Sequence, residues 1–281
     1  MKQGDKVGIV CCSNGQQRSY QEKLEKLHDL LLQMGLTPVW SNYIYAKDSA
    51  FFSSGRERAE SLMHFFENRE IKAIFDISGG DVANEILPYL DYDKIAESEQ
   101  IFFGYSDLTT VINAIYAKTG KVSVLYQIRN LLYEHGKQQF SDVKHTLIGG
   151  ADDLYHFQYE WVQKEHMQGI VVGGNIRCLL KLAGTPYWPD MHGKILLLES
   201  FHGGTALMTT YLNQLQQIGV LEQIEGILLG SFTEMEEKGY MPSIEELVKH
   251  YAGEHIPIAK TKEIGHGSDS KGIMIGKKLQ L

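Results

Sequence analysis

Three side chains far apart in the chain, Ser106, Glu199 and His266, have the types that acyl transfer needs. Ser106 lies in Gly104-Tyr105-Ser106-Asp107-Leu108, where an apolar run from Ile101 stops at a glycine and a helix over 107–118 is predicted to open. A strand that turns sharply into a helix pushes the corner side chain into solvent and leaves the first helical N–H groups unpaired beside it. A serine held there has access to a carbonyl and a nearby place for an oxyanion. Serine and aspartate are also ordinary helix caps, so that alternative stands beside the nucleophile. Glu199 ends the apolar run 194–198 and precedes Phe201-His202-Gly203-Gly204, as either a carboxylate facing a site or a solvated acid at a strand end. His266 sits between Gly265 and Gly267, in a loop that gives it little core to fill; an exposed surface histidine is the alternative. In such a trio the imidazole takes the serine proton and the carboxylate orients the ring and stabilises the imidazolium. Backbone donors hold the tetrahedral oxyanion.

A second loop supplies candidate donors. Ser78-Gly79-Gly80-Asp81 closes the apolar run 71–77, and paired glycines let backbone N–H groups approach a ligand closely. A tight strand-to-helix turn would use the same residues. This loop closes the strand that precedes the Ser106 strand, so the two loops are expected to be neighbours. The N–H groups of Gly80 and Asp107 then form a candidate oxyanion hole. Gly79, Asp81 and Asn175 are candidate substrate contacts.

Rival chemistries have weaker support. His192 and His202 lie near Asp190 without a metal-ligand spacing, and no metal is expected. Cys11, at the end of the first predicted strand, has no base assigned to it and reads as a small core residue. Gly79-Gly80-Asp81 partly matches the GGDG phosphate loop of some lipid and NAD kinases, but Val82 stands at the third glycine and no threonine follows. No GxxxxGK[ST] occurs, and no GxGxxG follows the first strand.

These residues need strands and helices to position them. Strands are predicted over 6–12, 37–40, 71–77 and from Ile101, with helices over 22–34, 57–68 and 107–118 between and after them. A further helix from Val82 is broken by Pro88. Alternating strands and helices with near-continuous apolar strands indicate a parallel sheet covered by helices, which binds ligands beyond its carboxyl edge. Residues 133–168 are polar, aromatic-rich and poorly periodic, as expected of a connection. Beyond it, strands over 170–172, 194–199 and 226–230 alternate with helices over 176–183, 205–218 and 244–251. The expected organisation is a nucleophile domain over 1–135, a linker over 136–168 and a smaller domain over 169–281 carrying Glu199 and His266.

Composition removes other classes. Of 281 residues 43% are hydrophobic and 22% charged, as in ordinary globular proteins, and no apolar run is long enough for a bilayer. The N-terminus lacks the regions of a signal peptide, and three cysteines form neither CxxC nor a disulfide framework, which together suggest a reducing, cytoplasmic setting. A net charge of −8 argues against nucleic acid or an anionic membrane as partner, but not against a small ligand.

Taken together, the ordered blocks resemble the LD-carboxypeptidase/microcin C immunity (MccF-like) serine peptidases over nearly the full length. The matching residues are Gly79-Gly80 followed by Leu87-Pro88-Tyr89-Leu90-Asp91-Tyr92, then Gly104-Tyr105-Ser106-Asp107-Leu108-Thr109, Gly173-Gly174-Asn175 and Gly184-Thr185-Pro186-Tyr187. Gly193-Lys194-Ile195-Leu196-Leu197-Leu198-Glu199 and Gly265-His266-Gly267 complete the set. The resemblance implies an α/β fold: a Rossmann-like parallel-sheet nucleophile domain plus a smaller β-rich α/β C-terminal domain, with the site between them, usually in a homodimer. It implies Ser106 as nucleophile, Glu199 as orienting acid, His266 as general base, and the N–H groups of Gly80 and Asp107 as oxyanion donors, with no cofactor. Its carboxypeptidase branch releases C-terminal D-alanine from murein tetrapeptide in the cytoplasm, and that substrate class is expected here. The alternative is the immunity branch, which inactivates microcin C-type aminoacyl-nucleotides; a non-catalytic ligand-binding member of the fold is a third possibility. Many carboxypeptidases carry an arginine before the paired glycines and Tyr-Gly after them. Here Ser78 and Asp81-Val82 stand there, which brings that loop closer to the immunity branch. The chain is nevertheless short for the longer loop that immunity enzymes place over the nucleotide.

Overall fold

The computed structural model describes residues 1–46 and 53–281, folded as two α/β domains that each carry a mixed six-stranded sheet. The first sheet is built from β1 (Lys6–Val10), β2 (Thr37–Trp40), β3 (Ile71–Asp76), β4 (Ile101–Gly104) and β5 (Ser123–Leu125), all parallel. The second uses β6 (Glu160–Gln163), β7 (Gln168–Asn175), β8 (Lys194–Ser200), β9 (Gly226–Phe232) and β10 (Ile258–Lys260), with β7 to β10 parallel and β6 antiparallel to β10. Two short C-terminal strands divide between the sheets. Strand β11 (Ile273–Ile275) returns to the first domain and pairs antiparallel with β5, while β12 (Lys278–Gln280) pairs antiparallel with β7. The orders are β11-β5-β4-β3-β1-β2 and β12-β7-β8-β9-β10-β6.

Helices cover the sheets, which is why β1, β3, β8 and β9 read as continuous apolar runs rather than alternating ones. In the first domain these are α1 (Gln21–Met34), α2 (Gly55–Glu67), α3 (Tyr92–Glu97), α4 (Thr109–Thr119) and α5 (Gly136–Leu147). The second carries α6 (Ile176–Leu180), α7 (Thr205–Gln217), α8 (Thr233–Lys238) and α9 (Ile244–Ala252). Helix α1 shows the sequence logic plainly: Leu24, Leu27, Leu31 and Met34 form its buried stripe, and Gly35 ends it in a left-handed conformation. Helix α2 starts on a capping box in which the Ser54 and Glu57 side chains satisfy each other's backbone N–H groups.

Helix α4 joins the domains. Its residues Thr109 to Ile115 are all buried, and Val111, Ile112, Ala114 and Ile115 belong to a core cluster that also holds Val171, Leu197 and Leu228 of the second domain. Asn113 locks the contact from both sides, donating to the Gly173 carbonyl at 2.9 Å and accepting from the Gly173 N–H at 2.8 Å. The Thr109 hydroxyl accepts from the Asn175 N–H at 3.1 Å. Because Asn175 is in register with Glu199 on β8, the helix that follows Ser106 is fixed to the strand beside the carboxylate.

Three local expectations differ from the structure. Residues 133–168, read as aperiodic connection, contain α5 and the edge strand β6. The helix predicted from residue 107 begins as a tight 3-10 turn at Ser106–Leu108 and becomes α-helical only at Thr109. The helix predicted from Val82 is a 3-10 segment, Ala83–Tyr89, that contains Pro88. No described helix is long and apolar enough to cross a membrane.

Candidate active site

The first sheet changes direction between β1 and β3, since the chain runs from β1 outward to β2 and then back to β3. Loops that leave the carboxyl ends of strands around such a point form a crevice. Here the loops after β1 and β3 touch, with the Asn14 N–H donating to the Gly79 carbonyl at 3.2 Å. Ser106 follows β4, the next strand along. Its φ of 55° puts a non-glycine residue in the left-handed region, a conformation that costs on the order of 1–3 kcal/mol and presents the side chain at the corner.

The structure brings Ser106, His266 and Glu199 into one hydrogen-bonded line. His266 Nε2 is 3.3 Å from Ser106 Oγ, and His266 Nδ1 is 2.6 Å from Glu199 Oε2. With the carboxylate accepting from Nδ1–H, the lone pair of Nε2 faces the serine hydroxyl. Glu199 is only 1% exposed, and its second oxygen, Oε1, is buried without a hydrogen-bond partner among the described residues. The carboxylate charge is therefore directed at the imidazole alone. The ring is also packed against two aromatic side chains. Phe201 stacks on it at 4.8 Å with an interplanar angle of 16°, and Tyr105 lies against it at 4.5 Å. Burial and the Glu199 charge push the Tyr105 phenol well above its ordinary value, so it remains neutral.

The loop that carries His266 is held by two serines. Ser231 Oγ accepts from the His266 N–H at 3.3 Å, and Ser270 Oγ donates to the Gly265 carbonyl at 2.8 Å. Gly265 has a φ of 140°, and a Cβ there would lie 2.1 Å from Ser231 Oγ, so no larger residue fits without moving the loop.

Asp107 follows Ser106 in the chain, and Gly80 lies in the loop after β3, the strand that pairs with β4. Neither N–H donates to an acceptor among the described residues, which leaves both available to a ligand. The side chain of Asp107 has a separate task. Fully buried, it accepts from Ser13 Oγ at 2.7 Å, from the Ala83 N–H at 2.8 Å and from Lys181 Nζ at 2.5 Å. It thereby ties the turn at Ser106 to the loops after β1 and β3 and to α6. Asp76 adds a second tie, accepting from the Cys12 N–H and the Ser78 N–H, each at 2.7 Å, and from Ser78 Oγ at 2.5 Å. Burial raises its carboxyl above the usual carboxylate range.

Of the candidate contacts, Gly79 meets Asn14 through its carbonyl, and Asp81 pairs with Arg177 and donates its N–H to Asn14 Oδ1 at 3.1 Å. Asn175 is 5% exposed and its side-chain oxygen caps α6, accepting from the Cys178 N–H at 3.2 Å. Cys11 is buried in the core, and burial pushes its thiol up, away from thiolate. His192 pairs with Asp190 on the exposed surface. Among the described residues no group of three or more His, Cys, Asp or Glu is arranged to hold a metal ion.

The family models for the LD-carboxypeptidase N-terminal and C-terminal domains match residues 7–127 and 168–281. The chain belongs to the LD-carboxypeptidase family. It is accordingly a serine-type carboxypeptidase with the two-domain fold of that family. Among its relatives, the probable murein peptide carboxypeptidase of Bacillus subtilis is 28% identical over 99% of this chain and 89% of its own length. The microcin C7 self-immunity protein MccF of Escherichia coli is 25% identical over 82% of this chain and 77% of its own length. A solved structure of MccF in complex with aspartyl sulfamoyl adenosine superposes with a TM-score of 0.86 at 22% identity, covering 100% of this chain and 94% of that one, which shows the common fold.

Several residues that pack around the Ser106–His266–Glu199 line are not indicated by the sequence. Ser13 was visible only as part of a turn, and Lys181 only as one position in a predicted helix. Tyr105 and Phe201 flank motif residues, but nothing in their spacing indicates that they enclose the imidazole.

Proposed function

We propose that this enzyme releases C-terminal D-alanine from murein tetrapeptide through an acyl-enzyme formed on Ser106. His266 Nε2 takes the hydroxyl proton as Oγ attacks the scissile carbonyl, and Glu199 stabilises the imidazolium. The N–H groups of Gly80 and Asp107 hold the oxyanion. The imidazolium then protonates the departing amine as the C–N bond breaks. Water, deprotonated by the same imidazole, hydrolyses the ester and restores Ser106. The observation that carries this reading is the line Ser106–His266–Glu199, at 3.3 Å and 2.6 Å; the absence of a hydrogen bond from the Gly80 and Asp107 N–H groups among the described residues supports it. The murein substrate draws support from the relatives named for murein peptides.

A second reading, cleavage of a microcin-type aminoacyl-nucleotide, is favoured by Ser78 and Asp81-Val82 around the paired glycines and by the likeness to MccF. Incubation with murein tetrapeptide and with aspartyl sulfamoyl adenosine, each followed by mass spectrometry, separates the two. Cleavage of the nucleotide alone would reject the murein reading. Cleavage of neither between about pH 6 and 9, a span that brackets ordinary imidazole titration, would favour a ligand-binding role. The family reading further makes the enzyme a cytoplasmic, cofactor-free homodimer, and light scattering at the mass of a single chain would exclude the dimer.

A further inference from the structure

A carboxypeptidase must recognise the free carboxylate of the amino acid it removes, and among the described residues the site offers a cation without a carboxylate partner. Three cations near the crevice already have anionic partners: Arg177 pairs with Asp81, Lys181 with Asp107 and Lys271 with Asp142. Arg129 is different. It is half-buried, and its partners are neutral: Nε donates to Gln127 Oε1 at 2.7 Å and Nη1 to Gln16 Oε1 at 3.3 Å. No carboxylate among the described residues pairs with it. A guanidinium has five N–H donors, so most of its donors and its full charge remain for a ligand.

The fork is also pre-organised. Gln16 and Gln127 are each 7% exposed. Gln16 is anchored by donation from Nε2 to the Ile77 carbonyl at 2.6 Å and from its N–H to the Ile44 carbonyl at 2.7 Å. Holding a bidentate cation in place before binding removes part of the ordering cost that a ligand would otherwise meet.

Its position fits a leaving-group carboxylate. Gly104 on β4 is in register with Leu125 on β5, so Ser106 and Gln127 each lie two residues beyond that pair, in the turns that leave two neighbouring strands about 4.8 Å apart. From the 3-10 segment after β5, Arg129 meets the side chain of Gln16, which comes from the loop after β1 and also donates to the Ile77 carbonyl at the end of β3, so the two side chains together bridge loops on either side of β4 and β3. Its charge is felt by the Tyr105 phenol, next to the serine. The carboxylate carbon of a C-terminal residue is only about 2.5 Å from the scissile nitrogen, so its partner must stand in a loop flanking the nucleophile. We infer that Arg129 is a specificity residue that binds the terminal carboxylate of the departing amino acid. This rests on the carboxypeptidase reading above.

The test compares a D-alanine-terminated tetrapeptide with its C-terminal carboxamide. Wild type is expected to favour the acid in kcat/KM by about 10- to 150-fold, the range for a charge-assisted hydrogen bond. Arg129→Gln should lose that factor on the acid and change little on the carboxamide, while Arg129→Lys restores part of the preference. An Arg129→Gln enzyme that still prefers the acid, or that falls equally on both peptides, overturns the assignment. Calorimetry on Ser106→Ala gives a second readout that needs no turnover. If wild type cleaves neither peptide, yet Ser106→Ala binds the acid selectively and Arg129→Gln abolishes that selectivity, the carboxypeptidase reading fails while the anion subsite stands. Unselective binding rejects the subsite.

Discussion

Replacing Glu199 by glutamine tests the imidazole's orientation with almost no change in shape. In the native site Oε2 accepts from His266 Nδ1–H at 2.6 Å, which fixes the lone pair of Nε2 toward Ser106. A glutamine amide can meet the ring in two ways. If its NH2 group faces Nδ1, the proton moves to Nε2 and the imidazole cannot accept from the serine. If its oxygen faces Nδ1, the ring keeps its native tautomer, but the NH2 group is buried at the position of Oε1, which has no hydrogen-bond partner among the described residues, and a donor left unpaired there costs about 1–3 kcal/mol. The unproductive tautomer is therefore favoured. Phe201 and Tyr105, packed against the ring, restrain it from finding another partner. Loss of the correct tautomer in a comparable trio lowers kcat by about 10⁴, equivalent to about 5.4 kcal/mol of transition-state stabilisation. The assay is saturating D-alanine release from murein tetrapeptide by the purified variant, with its thermal midpoint as a folding control. A Glu199→Gln enzyme within tenfold of wild type would refute the orienting role of the carboxylate.

Other substitutions probe the loops around this line. Gly80→Ala places a Cβ 2.3 Å from the Asn14 side chain at a φ of 129°, so the loop must shift; kcat should fall by about 10²–10³, the effect of losing one oxyanion donor, with KM nearly unchanged. Asp107→Ala leaves Lys181 without its partner and removes the ties to Ser13 and Ala83; urea denaturation should show a loss of about 3–5 kcal/mol. Burial raises the Asp76 carboxyl above its usual 3.8, so in the window above that value the folded state holds a proton that the unfolded state releases. The Asp76 contribution to stability thus falls as pH rises through that window, and the urea midpoint of wild type should lose ground relative to Asp76→Asn as pH increases from about 4.

The elements that position the site were largely legible because they are buried on both faces. Runs such as Ile71–Ile77 and Lys194–Leu198 need no periodicity analysis, and the loops at their carboxyl ends follow directly. Helix α5 was hidden for the opposite reason: its buried face includes Gln139, Asp142 and Thr146, so its polar residues point inward and the apolar period vanishes. Strands β11 and β12 are three residues each, too short to show a pattern, and their separate returns to the two sheets are tertiary events. The motif residues Ser106, Glu199 and His266 stood out through strand ends and flanking glycines. The carriers of the supporting network did not. Ser13, Lys181 and Arg129 are single polar residues whose meaning depends on contacts across 94, 74 and 113 positions of chain.

The most direct test of the proposed chemistry is rapid-quench intact-mass spectrometry during turnover of murein tetrapeptide, followed by peptide mapping. Acylation should appear as a transient mass increase equal to the peptide minus its D-alanine, confined to the fragment containing Ser106 and absent from Ser106→Ala. Normal turnover by Ser106→Ala, or an adduct mapped to any other residue, would contradict the assignment of Ser106 as the nucleophile.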